Sequence, residues 1–448
     1  ILNFKQEQHH IFHAHCAKYF YQQDKDFIVY VADGDGAVQY LKHDSDFLNT
    51  LKVIENETIL DENLNPLYKK YHVKKPINVF SKTIKIHPSV SFGKGYQKLV
   101  YELGLEEHSE GKAMALSSYG KLNKTIFNSL IHKDSWNINL VNDIQDSYDK
   151  KNTYNRFMLN PNIEHTAKNS PSLDFVHTFQ KAFEALFLNA LNKVDYKDKT
   201  ILLTGGCAQN ILNNSNLKNN LPNQILPDPF NGDFGISLGS AIAVSDKKIK
   251  PLKHICSGFD HDEDLSLFKK YLIRKTNSEE VANILTKEPV AIFSGKSEQG
   301  QRGLGFRSLL ANPLQKDIIE KINKIKKREW YRPFACTILQ EEAHKYFSIG
   351  KKEHSPYMMF VYKTKNSKLK NVCSVDGYSR IQTLEKSFHP KYYDLINSFK
   401  KITGLPLVLN TSLNLPGNVL CENYSDLLDI FKRSDCYLAD LNKLICLK

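Results

Sequence analysis

Three observations predict a two-domain α/β protein. Apolar runs of five or six residues end in glycine turns that open into helix starts; a polar, lysine-rich stretch breaks this rhythm near residue 250; and 448 residues are enough for two separate cores. A hydrophobic content of 41% and a charged content of 25% describe an ordinary globular chain. No apolar run approaches the ~18 residues needed to span a bilayer. The chain opens on Ile1, not Met, with no signal-peptide pattern after it, and so reads as a fragment or trimmed product.

The first element is a histidine-rich helix start, His9-His10-Ile11-Phe12-His13. Residues four apart share a helix face, roughly 6 Å from one another, so His9 and His13 can hold one divalent ion and leave positions open for substrate. Phe27 to Ala32 then reads as a buried strand running into Asp33-Gly34-Asp35-Gly36, where a carboxylate at the strand end can reach the same ligand. An ordinary turn after a strand fits these residues too. Thr200 to Thr204 is a second strand, opening into Gly205-Gly206-Cys207-Ala208-Gln209-Asn210, a turn whose backbone N–H groups can meet an anion. A third turn, Asn231-Gly232-Asp233-Phe234-Gly235, leads into a helix from Leu238 to Ala243. The loops at Asp33, Gly205 to Asn210 and Asp233 are expected to converge on one cleft.

Residues 1–247 are read as the first domain, 248–264 as a linker and 265–448 as the second domain. Asp260 to Asp264 is expected to cap a helix; a helix from Glu279 to Lys287 and a strand from Pro289 to Phe293 follow. Lys296, Arg302 and Arg307 lie in a glycine-rich loop that is not a P-loop, since the GxxxxGK[ST] order is absent. A second cationic group holds Lys326, Arg328 and Arg332 among aromatics, and Arg380 follows. The strand Leu407 to Leu409 ends in Asn410-Thr411-Ser412. Guanidinium groups suit bidentate contact with phosphate, and these segments together favour a phosphate-rich pocket.

The net charge of +12 is spread in short lysine groups such as Lys247-Lys248, with no basic tail and no aromatic-basic RNA-binding motif. That argues against a nucleic-acid partner and fits phosphate-bearing substrates. The eight cysteines form no CxxC pair, which fits thiols in a reducing cytoplasm.

Several ordered motifs resemble the NodU/CmcH-type O-carbamoyltransferases. They are His9 to Ala14, Asp33-Gly34, Glu110-Gly111-Lys112, Thr204-Gly205-Gly206 with Asn210, and Gly232-Asp233. In the second domain they are Glu298 to Ser308, Lys326 to Ala335, Asp376-Gly377 with Arg380, and Asn410-Thr411-Ser412 with Asn414. The resemblance implies an actin-like (ASKHA) N-terminal domain lacking its first segment, followed by a YrdC-like α/β domain. It also implies two steps: carbamoyl phosphate and ATP give carbamoyl adenylate and pyrophosphate, and the carbamoyl group then passes to a hydroxyl of a sugar or other small molecule. In that scheme Lys296, Arg302, Arg307, Lys326, Arg328, Arg332 and Arg380 stabilise the polyanions. Lys112, Gly205, Gly206, Asn210, Asn410 and Ser412 bind nucleotide. His9, His13, Asp33 and Asp233 hold Fe(II), Mn(II) or Zn(II), with Mg(II) serving ATP. The base is His10, His15 or Asp35. Lys296, Gln301 and Gly303 stand where the family usually has Arg, Pro and Ala, which points to a divergent acceptor or slower turnover. The competing readings are a non-catalytic nucleotide- or sugar-binding remnant and a threonylcarbamoyl-type transferase acting on RNA. The oligomeric state is open.

Overall fold

The computed structural model describes residues 8–41 apart from 24, 51–72, 90–137 apart from 107 and 133, 171–245, 249, 252, 255–259, 265–441 apart from 301 and 435, and 445–447. The chain divides into two compact units, Ile1–Leu252 and Lys253–Lys448, at a point inside the stretch read as a linker. Each is α/β with a mixed sheet.

The N-terminal unit holds strands β1 (Phe27–Ala32), β2 (Val38–Leu41), β3 (Leu51–Leu60), β4 (Pro66–His72), β5 (Ile131–His132), β6 (Ser135–Trp136), β7 (Thr200–Thr204) and β8 (Ile225–Pro227). Its helices are α1 (His9–Tyr21), α2 (Phe92–Glu102), α3 (Glu110–Leu116), α4 (Lys124–Leu130), α5 (Pro171–Leu191), α6 (Ile211–Asn220) and α7 (Ile236–Ala243). The main sheet runs β2-β3-β1-β7-β8, with β4 also on β3 and a small β5-β6 hairpin apart. All six residues of β1 are buried, as a strand covered on both faces requires. It pairs antiparallel with β3 and parallel with β7, so the strand end carrying Asp33 lies beside the turn after Thr204. In α5, Phe175, Phe179, Phe183, Leu186 and Ala190 fall at helical spacing and are all buried. Helix α1 packs against α7 through Gly239, where a Cβ would stand 1.9 Å from the Phe12 carbonyl oxygen.

The C-terminal unit holds β9 (Ile273–Lys275), β10 (Val290–Phe293), β11 (Arg307–Ala311), β12 (Ala335–Leu339), β13 (Val361–Lys363), β14 (Tyr378–Leu384), β15 (Leu407–Ser412), β16 (Tyr437–Asp440) and β17 (Ile445–Leu447). Its helices are α8 (Ser278–Leu285), α9 (Ile318–Lys326), α10 (Ala343–Tyr346), α11 (Pro390–Thr403) and α12 (Tyr424–Lys432). The nine strands are ordered β13-β14-β12-β15-β11-β10-β16-β17-β9. Helix α8 starts where Asn277 caps the Glu280 N–H, and α9 buries Ile318, Ile322 and Ile325 along one stripe. The expected cap at Asp260 to Asp264 lies outside the described residues. Part of the expected linker is not a tether: Cys256 bridges Glu298, and the Gln299 N–H donates to the Ile255 carbonyl. Pairing of that segment with the glycine-rich loop makes residues 255–259 part of the C-terminal unit.

Among the described residues no helix is long and apolar enough to cross a membrane. The thiols of Cys16, Cys207, Cys336, Cys373 and Cys421 are unpaired.

Candidate active site

In the N-terminal unit, helix spacing and strand pairing bring four residues together. One ligand atom from each of His9, His13, Asp33 and Asp233 lies within 4.8 Å of the others. Asp33 Oδ2 is 3.0 Å from His9 Nε2 and 3.1 Å from His13 Nε2, while Asp233 Oδ1 is 3.9 Å from His9 Nε2. The remaining oxygen of Asp33 accepts the Gly34 and Gly206 N–H groups at 2.7 and 3.2 Å. Burial alone would raise the Asp33 pKa, but hydrogen bonds from His13 and His9 hold it well below the carboxylate range. Burial likewise lowers His9, and the Asp33 contact outweighs it, leaving His9 raised. Gly205 adopts φ +83°, and a Cβ there would stand 2.3 Å from the Ala32 carbonyl, so only glycine lets β7 turn against β1. Two imidazoles and two carboxylates, with Asp233 largely exposed at the rim, are a donor set that fits a divalent transition metal.

The other residues predicted for this unit have defined places. His10 is buried; Thr58 Oγ1 lies 2.7 Å from its Nδ1, and its Nε2 has no partner among the described residues. Asn210 caps α6 through the Asn213 N–H and exchanges hydrogen bonds with Gln180, so its amide is engaged within the protein. The Gly206 N–H is taken by Asp33. Lys112, on α3, faces Glu106 at 3.9 Å. His15 is partly buried, and Asp35 lies 3.6 Å from Lys94.

The C-terminal unit gathers positive charge. Arg380, on β14, is repelled by Arg302, Arg328 and Arg332, and burial and that repulsion push its pKa well down. Burial and its neighbours lower Arg302 to about 10 and Arg328 to about 9, both still cationic at neutral pH. Lys326 is lowered to about 7 by burial, then by Arg328 and Arg332. The Arg328 and Arg380 Nε groups have no hydrogen-bond partner among the described residues. Among those residues Glu329 is the carboxylate that pairs with the cluster, 3.1 Å from Arg332. Lys326 Nζ donates to the Ser412 and Asn414 carbonyls, both at 2.8 Å.

Arg307 is not part of this cluster. It is fully buried, donates to the carbonyls of Ser294, Gly295, Phe306 and Glu422, and lies 3.6 Å over the Phe293 ring. Its two terminal nitrogens frame the glycine-rich loop, while its Nε has no hydrogen-bond partner among the described residues. Lys296 stands exposed early in that loop. Asn410 is buried, donating to the Gly303 carbonyl and Thr337 Oγ1, with its Oδ1 unpartnered among the described residues.

The family model described as Carbamoyltransferase N-terminus matches residues 8–242, and the one described as Carbamoyltransferase C-terminus matches residues 281–448. The chain belongs to the NodU-type carbamoyltransferase family. An uncharacterized protein of Methanocaldococcus jannaschii is 28% identical over 451 residues, which cover 95% of this chain and 70% of the relative. Nodulation protein NolO of Bradyrhizobium diazoefficiens is 33% identical over 257 residues, 52% of this chain and 47% of its own length. Nodulation protein U of Rhizobium fredii is 33% identical over 226 residues, 49% of this chain and 39% of its own. Family membership supports carbamoyl transfer in general.

Sequence reasoning assigned no role to three groups that frame this carbamoyltransferase's two centres. Glu298 is buried and accepts the N–H groups of Leu304, Phe306 and Arg307 at 2.5, 2.9 and 3.2 Å, which shapes the loop around Arg302. Gln382 Nε2 donates to the Leu304 carbonyl while its Oε1 accepts from Thr337. Asp228 is fully buried, accepts from Thr204 Oγ1 and the Phe230 N–H, and has its pKa raised to about 6 by burial. An acid alone among glycines and cations, as Glu298 is, is the signal that was available.

Proposed function

We propose that this chain is an ATP-dependent cytoplasmic O-carbamoyltransferase that works through carbamoyl adenylate. In this reading the C-terminal unit is YrdC-like and forms the adenylate, and the N-terminal unit is actin-like (ASKHA) and transfers the carbamoyl group to a sugar or other small-molecule hydroxyl. Atom balance requires one water: carbamoyl phosphate loses phosphate to leave carbamate, whose oxygen attacks the α-phosphorus of ATP and expels pyrophosphate. Magnesium would accompany ATP.

The observation that carries the reading is the convergence of Arg302, Arg328, Arg332 and Arg380 beside Lys326, with Glu329 as their paired carboxylate. Such a cluster repels itself until polyanions arrive, and adenylation must hold two polyanions in one place. The unpartnered Nε groups of Arg328 and Arg380 are donors suited to phosphate oxygens. Asn410 and Gln382, linked through the Thr337 hydroxyl, donate to the Gly303 and Leu304 carbonyls and so steady the backbone next to Arg302.

In the transfer step His9, His13, Asp33 and Asp233 would hold a divalent ion, Fe(II), Mn(II) or Zn(II) by donor type. When bound, that ion supplies Lewis-acid polarisation of the acyl carbonyl. The Gly34 and Gly206 N–H groups fix Asp33 so that its other oxygen stays aimed at the two imidazoles. The acceptor oxygen bonds the carbamoyl carbon, and the bond from that carbon to the adenylate oxygen breaks, so that AMP leaves with the electron pair. The hydroxyl proton passes to a base, His15 or Asp35.

The test is pyrophosphate release from ATP by the purified chain, with and without carbamoyl phosphate. Release that requires carbamoyl phosphate, and that falls about 10²–10³-fold in Arg302→Ala, supports adenylate formation. A well-folded chain that releases no pyrophosphate overturns it in favour of a binding protein, and release that depends on threonine and bicarbonate points to a threonylcarbamoyl-type reaction.

A further inference from the structure

The ligand histidines sit on α1 and the ligand carboxylate sits at the end of β1, so something must fix the helix against the strand. A rotation of α1 by about 10° would carry a ring nitrogen about 1 Å, given the helix radius and the reach of the side chain. Metal–ligand distances tolerate only about ±0.2 Å. Packing at Gly239 sets how close α1 lies to α7, but the α1-to-β1 register needs a directional contact.

We propose that His10 is a positioning residue for the metal ligands, tied through Thr58 to the strand pair that carries Asp33. The proposal rests on the reading of His9, His13, Asp33 and Asp233 as a metal centre.

Thr58 lies opposite Val31 in the β1–β3 ladder, two residues before Asp33. Its hydroxyl is 2.7 Å from His10 Nδ1, and both groups are buried. The same strand pins the loop beyond Asp33: the Gly36 N–H donates to the Glu55 carbonyl at 3.0 Å, and the Ala37 N–H donates to Glu55 Oε2 at 3.1 Å. Gly36 is also where the loop meets the ring, since a Cβ there would stand 2.5 Å from His10 Nε2 and 2.7 Å from Glu55 Cβ. Helix, loop and strand therefore meet at one buried imidazole between the two ligand histidines. That enclosure also removes His10 from the set of bases open to an acceptor hydroxyl.

The experiment is Co(II) titration of the full chain, read by visible d–d absorption, with near-ultraviolet circular dichroism as the check on folding. Wild type is expected to bind one Co(II), and His9→Ala to lose it. Thr58→Val should bind about 10–100-fold more weakly with an altered d–d band, and Thr58→Ser, which keeps the hydroxyl, should restore both. Gly36→Ala, which touches no ligand, should weaken binding by pressing on the ring, and it decides the matter should Thr58→Val fail to fold. Wild-type affinity in Thr58→Val and Gly36→Ala, or equal loss in Thr58→Ser and Thr58→Val, overturns the positioning role while leaving the metal centre standing. A wild-type chain that takes up no Co(II), or whose uptake ignores His9→Ala, overturns the metal reading and this proposal with it.

Discussion

The two units handle charge in opposite ways. In the N-terminal centre the charges are complementary: one Asp33 oxygen meets two imidazoles and the other meets two backbone N–H groups. In the C-terminal centre, four arginines and a lysine crowd one another, and Lys326 is pushed down to about 7 by burial and that crowding. A complementary centre holds its shape before any ligand binds. A self-repelling centre lowers the stability of its own unit until an anion compensates it. Ligand binding should therefore register mainly as geometry in the first unit and mainly as stability in the second.

A crossed pair of substitutions should separate the two centres. Arg302→Ala should cut pyrophosphate release about 10²–10³-fold and leave Co(II) uptake intact, while Asp33→Ala should abolish Co(II) uptake and leave pyrophosphate release near wild type. Loss of both activities in either variant would show that the centres are not separable. Glu298→Ala comes next, because three N–H groups lose their buried acceptor together. A loss of about 3 kcal/mol in urea unfolding is expected, with less for Glu298→Gln, which keeps one oxygen. Smaller still is Arg380→Met. Removing one of the repelling cations should leave the ligand-free chain as stable as wild type, or about 1 kcal/mol more so, while shrinking the rise in Tm that pyrophosphate produces. Marked destabilisation of ligand-free Arg380→Met would mean that the cluster is not under repulsion.

How much of this was legible in the sequence depended on whether a residue's role is local. His9 and His13 declare themselves by spacing on one helix, and Phe27 to Ala32 reads as a strand because its six residues are apolar in succession. The strand Leu407–Ser412 and the helix Ile236–Ala243 were likewise visible, short by a few residues at one end. Arg307 could not be told from Arg302 by type or by neighbourhood in the chain. Only the fold shows that the Phe293 ring and the carbonyls of Ser294, Gly295 and Glu422 close around it. Asn210 is ambiguous in the sequence, because an asparagine after a glycine turn suits a nucleotide contact and a helix cap equally well; the fold shows the cap on the Asn213 N–H. Glu298 and Thr58 act on partners distant in sequence or in another element, and no periodicity marks such pairs.

The gentlest probe of the comparison is pH. Lys326 is pulled two ways: the Ser412 and Asn414 carbonyls accept from its ammonium, while burial, Arg328 and Arg332 favour the neutral amine and bring it from 10.5 to about 7. In the unfolded chain the amine keeps its ordinary value, so between pH 7 and about 10 the unfolded state binds more protons than the folded one. Unfolding free energy must then rise with pH across that window, and below pH 7, where both states are protonated, the penalty of the buried charge is present in full. The measurement is the urea midpoint of wild type relative to Lys326→Met at pH 7 and pH 9, with a growing margin for wild type expected at the higher pH. Saturating pyrophosphate should flatten that growth, because a bound polyanion favours the charged amine in the folded state. A margin that stays constant with pH, with and without pyrophosphate, would place Lys326 outside the repelling cluster and remove the contrast between the two centres at its most sensitive point.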